Sequence, residues 1–388
     1  MLKLFKHQEE AIELYKQKNG LIYLNWETGT GKTVGALAIA NANNFRKLLV
    51  VAPKSSHLSW QSEQIHFPNL ELTIATYEAF RDKIDDFSKY DFLVFDESHR
   101  LKNPSAKMTK KAVEYAMAGE LPPRILLSGT PADRYYELYS QLKVLNPADK
   151  TFTKYFSSYT KFINYYYYIN DYYKPTTLKD KAFEKELKEW FLQYAHIVKK
   201  EDVVELPPLL EIPIRLKKTK TNDIDFNFDV KGLYTVSHFI TEYRKASMSK
   251  DKLQWILEFL EDNPQTIVFS LFRDPVMELK KQLGNKIYAI TGEYKKEFDD
   301  ALKKQDRPII TTYALKEGAN LQKYFNIVYL SLPLSYRDYQ QSLARAYRTG
   351  QEKKVNVYKL FQQTIDYKVY NIIKSKASVY DYLRKEEF

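Results

Sequence analysis

Two short segments carry side chains suited to handling a nucleoside triphosphate. Residues 27–33 read Glu-Thr-Gly-Thr-Gly-Lys-Thr, and residues 96–99 read Asp-Glu-Ser-His. The first follows an apolar run at 21–24 and leads into a helix-compatible run at 34–42; the second closes an apolar run at 92–95. A strand–loop–helix turn can aim backbone N–H groups at phosphate, and Gly29 and Gly31 give the chain the freedom to make that turn. The glycine that opens the strict phosphate-loop pattern is absent, and Glu27 begins the segment instead. Lys32 would reach the outer phosphates, and Thr33 would hold magnesium. Asp96 would hold the same ion directly or through water. Glu97 beside it would orient and deprotonate the attacking water. Together these residues imply a magnesium-dependent nucleotide triphosphatase.

Three further groups are candidates. Ser128-Gly129-Thr130 follows another apolar run; its hydroxyls can bond a neighbouring active-site loop, or the stretch can be a plain turn before Pro131. Arg345 and Arg348 are three apart in a run from Gln341 to Gln351, so a helix would put them on one face, where they could neutralise charge on a transferring phosphate. Residues 151–173 are dense in aromatics with Lys154, Lys161 and Lys174 nearby. Such a mixture can stack on bases and touch phosphate, or it can form the core of a small insertion; core packing is the expectation.

The elements that must position these groups are legible as an alternation. Strands are expected at 21–25, 47–52, 72–76, 91–95 and 124–128, with helices near 32–43, 58–65, 104–118 and 134–145. A second alternation has strands at 266–270, 287–290, 308–312, 326–330 and 354–358, with helices at 252–260, 275–283, 338–347 and 365–384. Near-continuous apolar strands between helices predict parallel sheets covered on both faces. The rhythm fades over 146–250, where one helix is expected near 232–246. The expected division is 1–145, an aromatic-rich insertion at 146–206, a connector at 207–250, and a second lobe at 251–388. Only the first lobe has a phosphate loop, which places a nucleotide in a cleft between the two.

The chain has 388 residues and no cysteine, which excludes disulfides and thiol–zinc sites. Its net charge of +11 suits a polyanionic partner. No apolar run approaches a membrane span, and the expectation is a cytoplasmic protein.

Taken together, the segments resemble the superfamily 2 helicases, most closely their Snf2-like branch of DNA translocases. Leu4, His7 and Gln8 resemble the adenine-reading element, and Glu27–Thr33 resembles motif I. Pro53, Leu58 and Trp60 resemble motif Ia, Thr76-Tyr77-Glu78 motif Ib, and Asp96 to Asn103 motif II. Ser128-Gly129-Thr130 resembles motif III, 267–270 motif IV, Thr311-Thr312 through Leu321 motif V, and Gln341, Arg345, Arg348, Gly350 and Gln351 motif VI. Lys199-Lys200-Glu201-Asp202-Val203 with Leu206-Pro207-Pro208 resembles a passage typical of the branch. Two departures stand out: Thr30 lies between the motif I glycines, and Leu315 and Lys316 occupy the paired-glycine positions of motif V.

The resemblance implies an α/β fold of two RecA-like lobes with parallel sheets, one phosphate loop and a small helical insertion after motif III. It implies ATP and Mg2+ as cofactors. Gln8 would read adenine. Thr28, Gly29, Thr30, Gly31, Lys32 and Thr33 would hold the nucleotide, with Thr33 and Asp96 on the metal. Glu97, Lys32, Arg345 and Arg348 would be catalytic, while His99, Ser128, Thr130 and Gln341 would couple motifs. Lys54, Ser55, Thr76, Ser270, Thr312 and Asn320 would line the nucleic-acid track. The function so implied is ATP-dependent movement on double-stranded DNA, with unwinding or remodelling of forks and branched DNA. The absence of any recognisable appendage suggests a compact phage or bacterial type, acting as a monomer in a bacterial or infected host cell, with a replication or recombination partner protein. An RNA helicase and a non-enzymatic DNA-binding assembly module with a helicase-like shell are the alternatives.

Overall fold

The computed structural model describes residues 2–170, 174–203, 205–218, 232–292, 297–313 and 321–384. By internal contacts the chain divides into two units, Met1–Val204 with Ser378–Phe388, and Glu205–Ala377.

The first unit is built on a six-stranded parallel sheet. Its strands are β1 (Tyr23–Trp26), β2 (Lys47–Val51), β3 (Glu71–Ala75), β4 (Phe92–Asp96), β5 (Arg124–Leu127) and, after a small antiparallel hairpin of β6 (Tyr167–Ile169) and β7 (Pro175–Leu178), β8 (Ala195–Val198). The order is β3-β2-β4-β5-β1-β8. The inner strands are apolar on both faces because both faces are covered. On one face the helices Lys6–Gln17 and Lys32–Ala42 pack over Leu24, Trp26, Val50 and Val94. The opposite face, with Tyr23, Leu49, Leu93 and Phe95, continues without a break into Phe152, Phe162, Tyr166, Leu187 and Phe191. The insertion therefore shares the first sheet's core. It holds the helices Tyr159–Tyr166 and Ala182–Leu192, but also the hairpin β6–β7, which helical expectations did not include.

The second unit repeats the plan. Its strands are β9 (Leu209–Arg215), β10 (Thr266–Ser270), β11 (Tyr288–Ile290), β12 (Ile309–Thr312), β13 (Asn326–Tyr329) and β14 (Val355–Phe361), in the order β11-β12-β10-β13-β14-β9 and all parallel. Val268, Ile310 and Val328 from neighbouring strands meet Ile256 and Val276 of the covering helices.

Besides the hairpin, two strands of the large sheets lie where none was expected. β8 pairs along the whole of β1, from Tyr23↔Ala195 to Trp26↔Val198, and β9 runs beside all of β14. Both are edge strands, so they lack the continuous apolar run of a strand buried on two faces. β9 even carries Pro213, which an edge tolerates because one side of the strand needs no donors. A third difference concerns the helix expected at 338–347. It is Tyr336–Leu343, and the chain beyond it turns. The turn is held by Gln351, whose side-chain amide donates to the carbonyls of Gln322, Tyr324 and Ala346 at 2.8, 3.0 and 3.1 Å, and by Gly350 at φ 89°.

The second unit also contains a fully buried ion pair. The Lys252 ammonium lies 2.7 Å from Asp366 Oδ1, and the other carboxylate oxygen accepts from the backbone N–H groups of Gln362 and Gln363, each at 2.9 Å. The side chains are 0% and 3% exposed, and burial pushes the Lys252 ammonium below its ordinary pKa. Removing one member of such a pair strands the other. Asp366→Ala should lower unfolding stability by about 3–5 kcal/mol in urea titration, and joint replacement by Lys252→Met with Asp366→Leu should recover part of that loss. A loss under about 1 kcal/mol for Asp366→Ala would show that the stranded ammonium reaches water.

Candidate nucleotide-binding site

The phosphate loop leaves β1 at Trp26 and enters the helix Lys32–Ala42. Gly29 (φ 91°) and Gly31 (φ 81°) both hold left-handed conformations, where a side chain would be strained. A Cβ on Gly31 would also lie 2.6 Å from Gln8 Nε2. Gly31 is the N-cap of the helix, so the helix opens with N–H groups that have no acceptor within the helix and with the positive end of its dipole. The N-terminal helix braces the loop from outside: His7 Nε2 lies 2.8 Å from the Thr30 carbonyl, and Gln8 donates to the Gly31 carbonyl at 3.1 Å while accepting from Phe5 N. Thr30 Oγ1 donates to the Glu27 carbonyl, and the Lys32 ammonium donates to the carbonyls of Trp26 and Glu27 at 2.9 and 3.1 Å. Thr28 and Thr33 are both half-buried, Thr33 in the first turn of the helix.

Trp26 fixes the base of this loop. Its ring is fully buried, and Gly35 is close enough that an added Cβ would meet it at 2.6 Å. Its indole N–H donates to His196 Nδ1 at 3.2 Å. Burial lowers the His196 pKa to about 4, which keeps the imidazole a neutral acceptor.

Asp96 ends β4, next to β2 and β5 in the sheet. It is only 7% exposed, and burial raises its pKa to about 6; the Glu97 charge pushes the same way, while the Trp60 indole and the Lys32 ammonium oppose. The Trp60 N–H donates to Oδ2 at 3.0 Å, the Glu97 N–H to Oδ1 at 3.0 Å, and the Tyr77 hydroxyl to the Asp96 carbonyl at 2.8 Å. Glu97 itself sits at φ 52°, a left-handed position that costs a non-glycine residue about 1–3 kcal/mol and points to functional constraint. Its carboxylate lies 3.2 Å from His99 Nδ1, which is 3.1 Å from the Ser128 hydroxyl; that hydroxyl accepts from Thr130 N at 3.2 Å. Glu97, His99, Ser128 and Thr130 thus form one polar chain from β4 to the loop after β5. Gly129 closes it onto the phosphate loop, since an added Cβ would lie 3.0 Å from the Trp26 carbonyl and 3.5 Å from Lys32 Nζ.

A second chain runs behind the first. Ser98 donates to the Tyr23 hydroxyl at 2.7 Å, Tyr23 donates to Gln141 Oε1 at 2.8 Å, and Gln141 donates to the Pro131 carbonyl at 2.8 Å. The far end of the insertion also returns to the loop: Glu27 N donates to the Val198 carbonyl at 3.0 Å, and Glu27 Oε2 accepts from Lys200 N at 2.8 Å. Sequence spacing gave no signal for Tyr23 or Gln141, which act through folded proximity, and Lys200 was visible only within a passage typical of the family. Trp60 was visible only as a motif member.

The nucleic-acid candidates are placed unevenly. Lys54 is exposed and Ser55 half-buried in the 3-10 turn after β2, and Thr76 follows β3 at the same sheet edge as Asp96. The Thr76 hydroxyl caps the helix Tyr77–Lys83 by accepting from Ala79 N at 3.1 Å. In the second unit, Thr312 is half-buried at the end of β12. Ser270 is 0% exposed, and its hydroxyl donates to the Phe272 carbonyl and meets Ser331 Oγ at 3.3 Å. Its side chain is buried and serves the loop after β10, so the expectation of a surface hydroxyl at this position is corrected. Asn320 lies outside the described residues.

The expected arginine face is corrected as well. Arg345 and Arg348 follow the end of the helix Tyr336–Leu343 and lie in turns. Arg345 is 6% exposed, and its carbonyl accepts from Leu321 N at 3.0 Å. Arg348 is half-buried, with its pKa lowered by burial. Gln341 remains on the helix, half-buried.

The chain is similar over 97% of its length to a Drosophila melanogaster SWI/SNF-related matrix-associated actin-dependent regulator of chromatin subfamily A-like protein 1, at 24% identity. It is similar at 23% identity to the Bos taurus DNA annealing helicase and endonuclease ZRANB3, and at 20% to the uncharacterized ATP-dependent helicase YqhH of Bacillus subtilis. The chain spans 55%, 40% and 78% of these three relatives. A Sulfolobus solfataricus SWI2/SNF2 ATPase core solved with double-stranded DNA is 21% identical, with a TM-score of 0.47, over 98% of this chain and 92% of that one. The helicase conserved C-terminal domain matches residues 251–350. The SNF2-related domain matches residues 64–260, half of the chain, and the chain belongs to that family.

Proposed function

We propose that the chain is an ATP-dependent DNA translocase, coupling ATP hydrolysis to movement on duplex DNA and remodelling forks or branched DNA. The observation that carries this reading is the polar chain Glu97–His99–Ser128–Thr130, which ties a carboxylate suited to water activation to a second loop bordering the phosphate loop. The residues present fit ATP and Mg2+. The helix N-terminus and the left-handed glycines offer donors to phosphate, and a hydroxyl with a carboxylate gives the hard oxygen donors that magnesium prefers. Thr33 and Asp96 would hold the ion, which supplies charge neutralisation at the phosphates when bound. Lys32 exchanges its two carbonyl partners for phosphate oxygens. Glu97 orients the attacking water and takes its proton, and His99 keeps that carboxylate aligned with Ser128. Arg345 and Arg348 offset charge that develops on the γ-phosphate, and Gln8 reads adenine from its place beside the loop.

Lys54, Ser55, Thr76 and Thr312 contact the DNA backbone rather than base edges, so affinity falls as salt rises. We favour a compact phage or bacterial motor that works as a monomer in the cytoplasm beside a replication or recombination partner. A B. subtilis relative of which the chain spans 78% supports that form.

Glu97→Gln should keep ATP affinity within a few-fold while lowering steady-state phosphate release by about 100-fold or more. Turnover near that of the unaltered chain would remove Glu97 from the assigned role. For Arg348→Ala, the drop in turnover should exceed the drop in nucleotide affinity; severe loss of binding with unchanged turnover of bound ATP would reverse the assignment. Movement is tested by ATP-driven triplex displacement on blunt duplex DNA alongside strand separation on a fork. Triplex displacement is the expected result, and fork separation without it would favour a helicase tracking on one strand.

A further inference from the structure

The insertion between the helix Leu138–Leu145 and β8 holds two kinds of aromatic residue. Phe152, Phe162, Tyr166 and Tyr167 are buried, as core packing predicts, while Tyr155, Tyr165 and Tyr168 are 60%, 51% and 57% exposed. Tyr172 and Tyr173 lie outside the described residues. Tyr165 does not stand alone: its ring is 5.2 Å from Phe156 and 5.3 Å from Phe183, both half-buried, so the rings make a stepped apolar surface.

Lysines border that surface. The Lys154 ammonium lies 5.2 Å from the Tyr155 ring centroid, and Lys161 stands one helical turn before Tyr165 on the same face. Lys179 Nζ reaches the Asn164 carbonyl at 2.5 Å, and Lys161 Nζ the Ser157 hydroxyl at 3.3 Å. Among the described residues none of these three lysines pairs with a carboxylate. The acids nearby are engaged elsewhere: Glu184 accepts from the Tyr135 hydroxyl, Glu186 from the Tyr166 hydroxyl, and Asp180 from Ala182 N. The insertion therefore offers exposed rings with lysines beside them: Lys161 and Lys179 near Tyr165, and Lys154 on Tyr155, next in sequence to Phe156.

The geometry points to a second nucleic-acid site here, with Tyr155, Tyr165 and Tyr168 stacking on bases of single-stranded DNA and Lys154, Lys161 and Lys179 meeting its phosphates. A duplex hides its base faces and would use only the lysines; an unpaired strand uses both features. This goes beyond the proposed duplex-stimulated ATPase and shares no residue with it. It provides a place to hold a strand once it has left the duplex.

The test uses the full chain and a fluorescent oligo-dT of about 16 nucleotides, followed by anisotropy. Replacing Tyr155, Tyr165 and Tyr168 together with alanine should weaken oligo-dT binding by at least about tenfold, and the triple phenylalanine variant should retain it. Duplex-stimulated phosphate release should stay within about twofold in both, because the nucleotide site is untouched. Lys154→Glu with Lys161→Glu leaves every ring in place, so it guards against misfolding of the alanine variant; it should also weaken oligo-dT binding and flatten its salt dependence. Oligo-dT affinity unchanged by both the alanine and the glutamate variants overturns the site and makes a protein-binding face the better explanation. Equal loss in the phenylalanine and alanine variants overturns base stacking. Tyrosine-dependent oligo-dT binding without any DNA-stimulated ATP hydrolysis would sustain this site and defeat the proposed motor function instead.

Discussion

A carboxylate at the end of a strand buried on both faces is the constraint on which the first unit depends. Asp96 has lost nearly all its water, and an ionised carboxylate in that position is costly unless every oxygen finds a donor or a cation. The Trp60 indole, from the helix after β2, and the Glu97 backbone N–H each donate to one carboxylate oxygen, the Lys32 ammonium adds charge from the phosphate loop, and Tyr77, from the helix after β3, bonds the Asp96 backbone carbonyl. Their convergence requires β2, β3 and β4 to be adjacent, parallel and in register. The sheet order is thus the means by which the site obtains its partners, and the left-handed turn at Glu97 keeps the second carboxylate beside the first while aiming it at His99.

The same sheet explains the insertion. Its aromatic residues do not form a separate globule; they extend the apolar layer that begins at Tyr23, Leu93 and Phe95. Its last strand becomes the edge of the sheet, and the chain then returns to the phosphate loop through Lys200 and Glu27. The far end of the insertion is thus bonded to the phosphate loop.

What was legible in the sequence follows from what makes a local signal. Strands buried on both faces give apolar runs, so β1, β2, β4, β5, β10, β12 and β13 were visible, and the phosphate loop and carboxylates could be read from their placement between runs. Edge strands β8 and β9 give no such run, and neither was expected. The helix expected to carry Arg345 and Arg348 stops at Leu343 because Gln351 gathers carbonyls from three places, a tertiary event that i,i+3 spacing cannot encode. Ser270 matched a motif, yet its hydroxyl is occupied by the loop it terminates. Trp26, Trp60 and Tyr23 are buried, as large apolar rings commonly are, but the choice of hydrogen-bond partner at each polar tip depends on the fold.

The positions of two indoles give the molecule an optical property. The chain has four tryptophans, and two of them border the nucleotide site: Trp26 leads directly into the phosphate loop, and Trp60 is bonded to Asp96. Each N–H has a single named acceptor, His196 for one and a carboxylate for the other. Indole emission depends on that acceptor and on the local field. Half of the protein's tryptophans are therefore wired to the groups that must reorganise around a nucleotide, and the native chain is its own spectroscopic reporter, with no label attached.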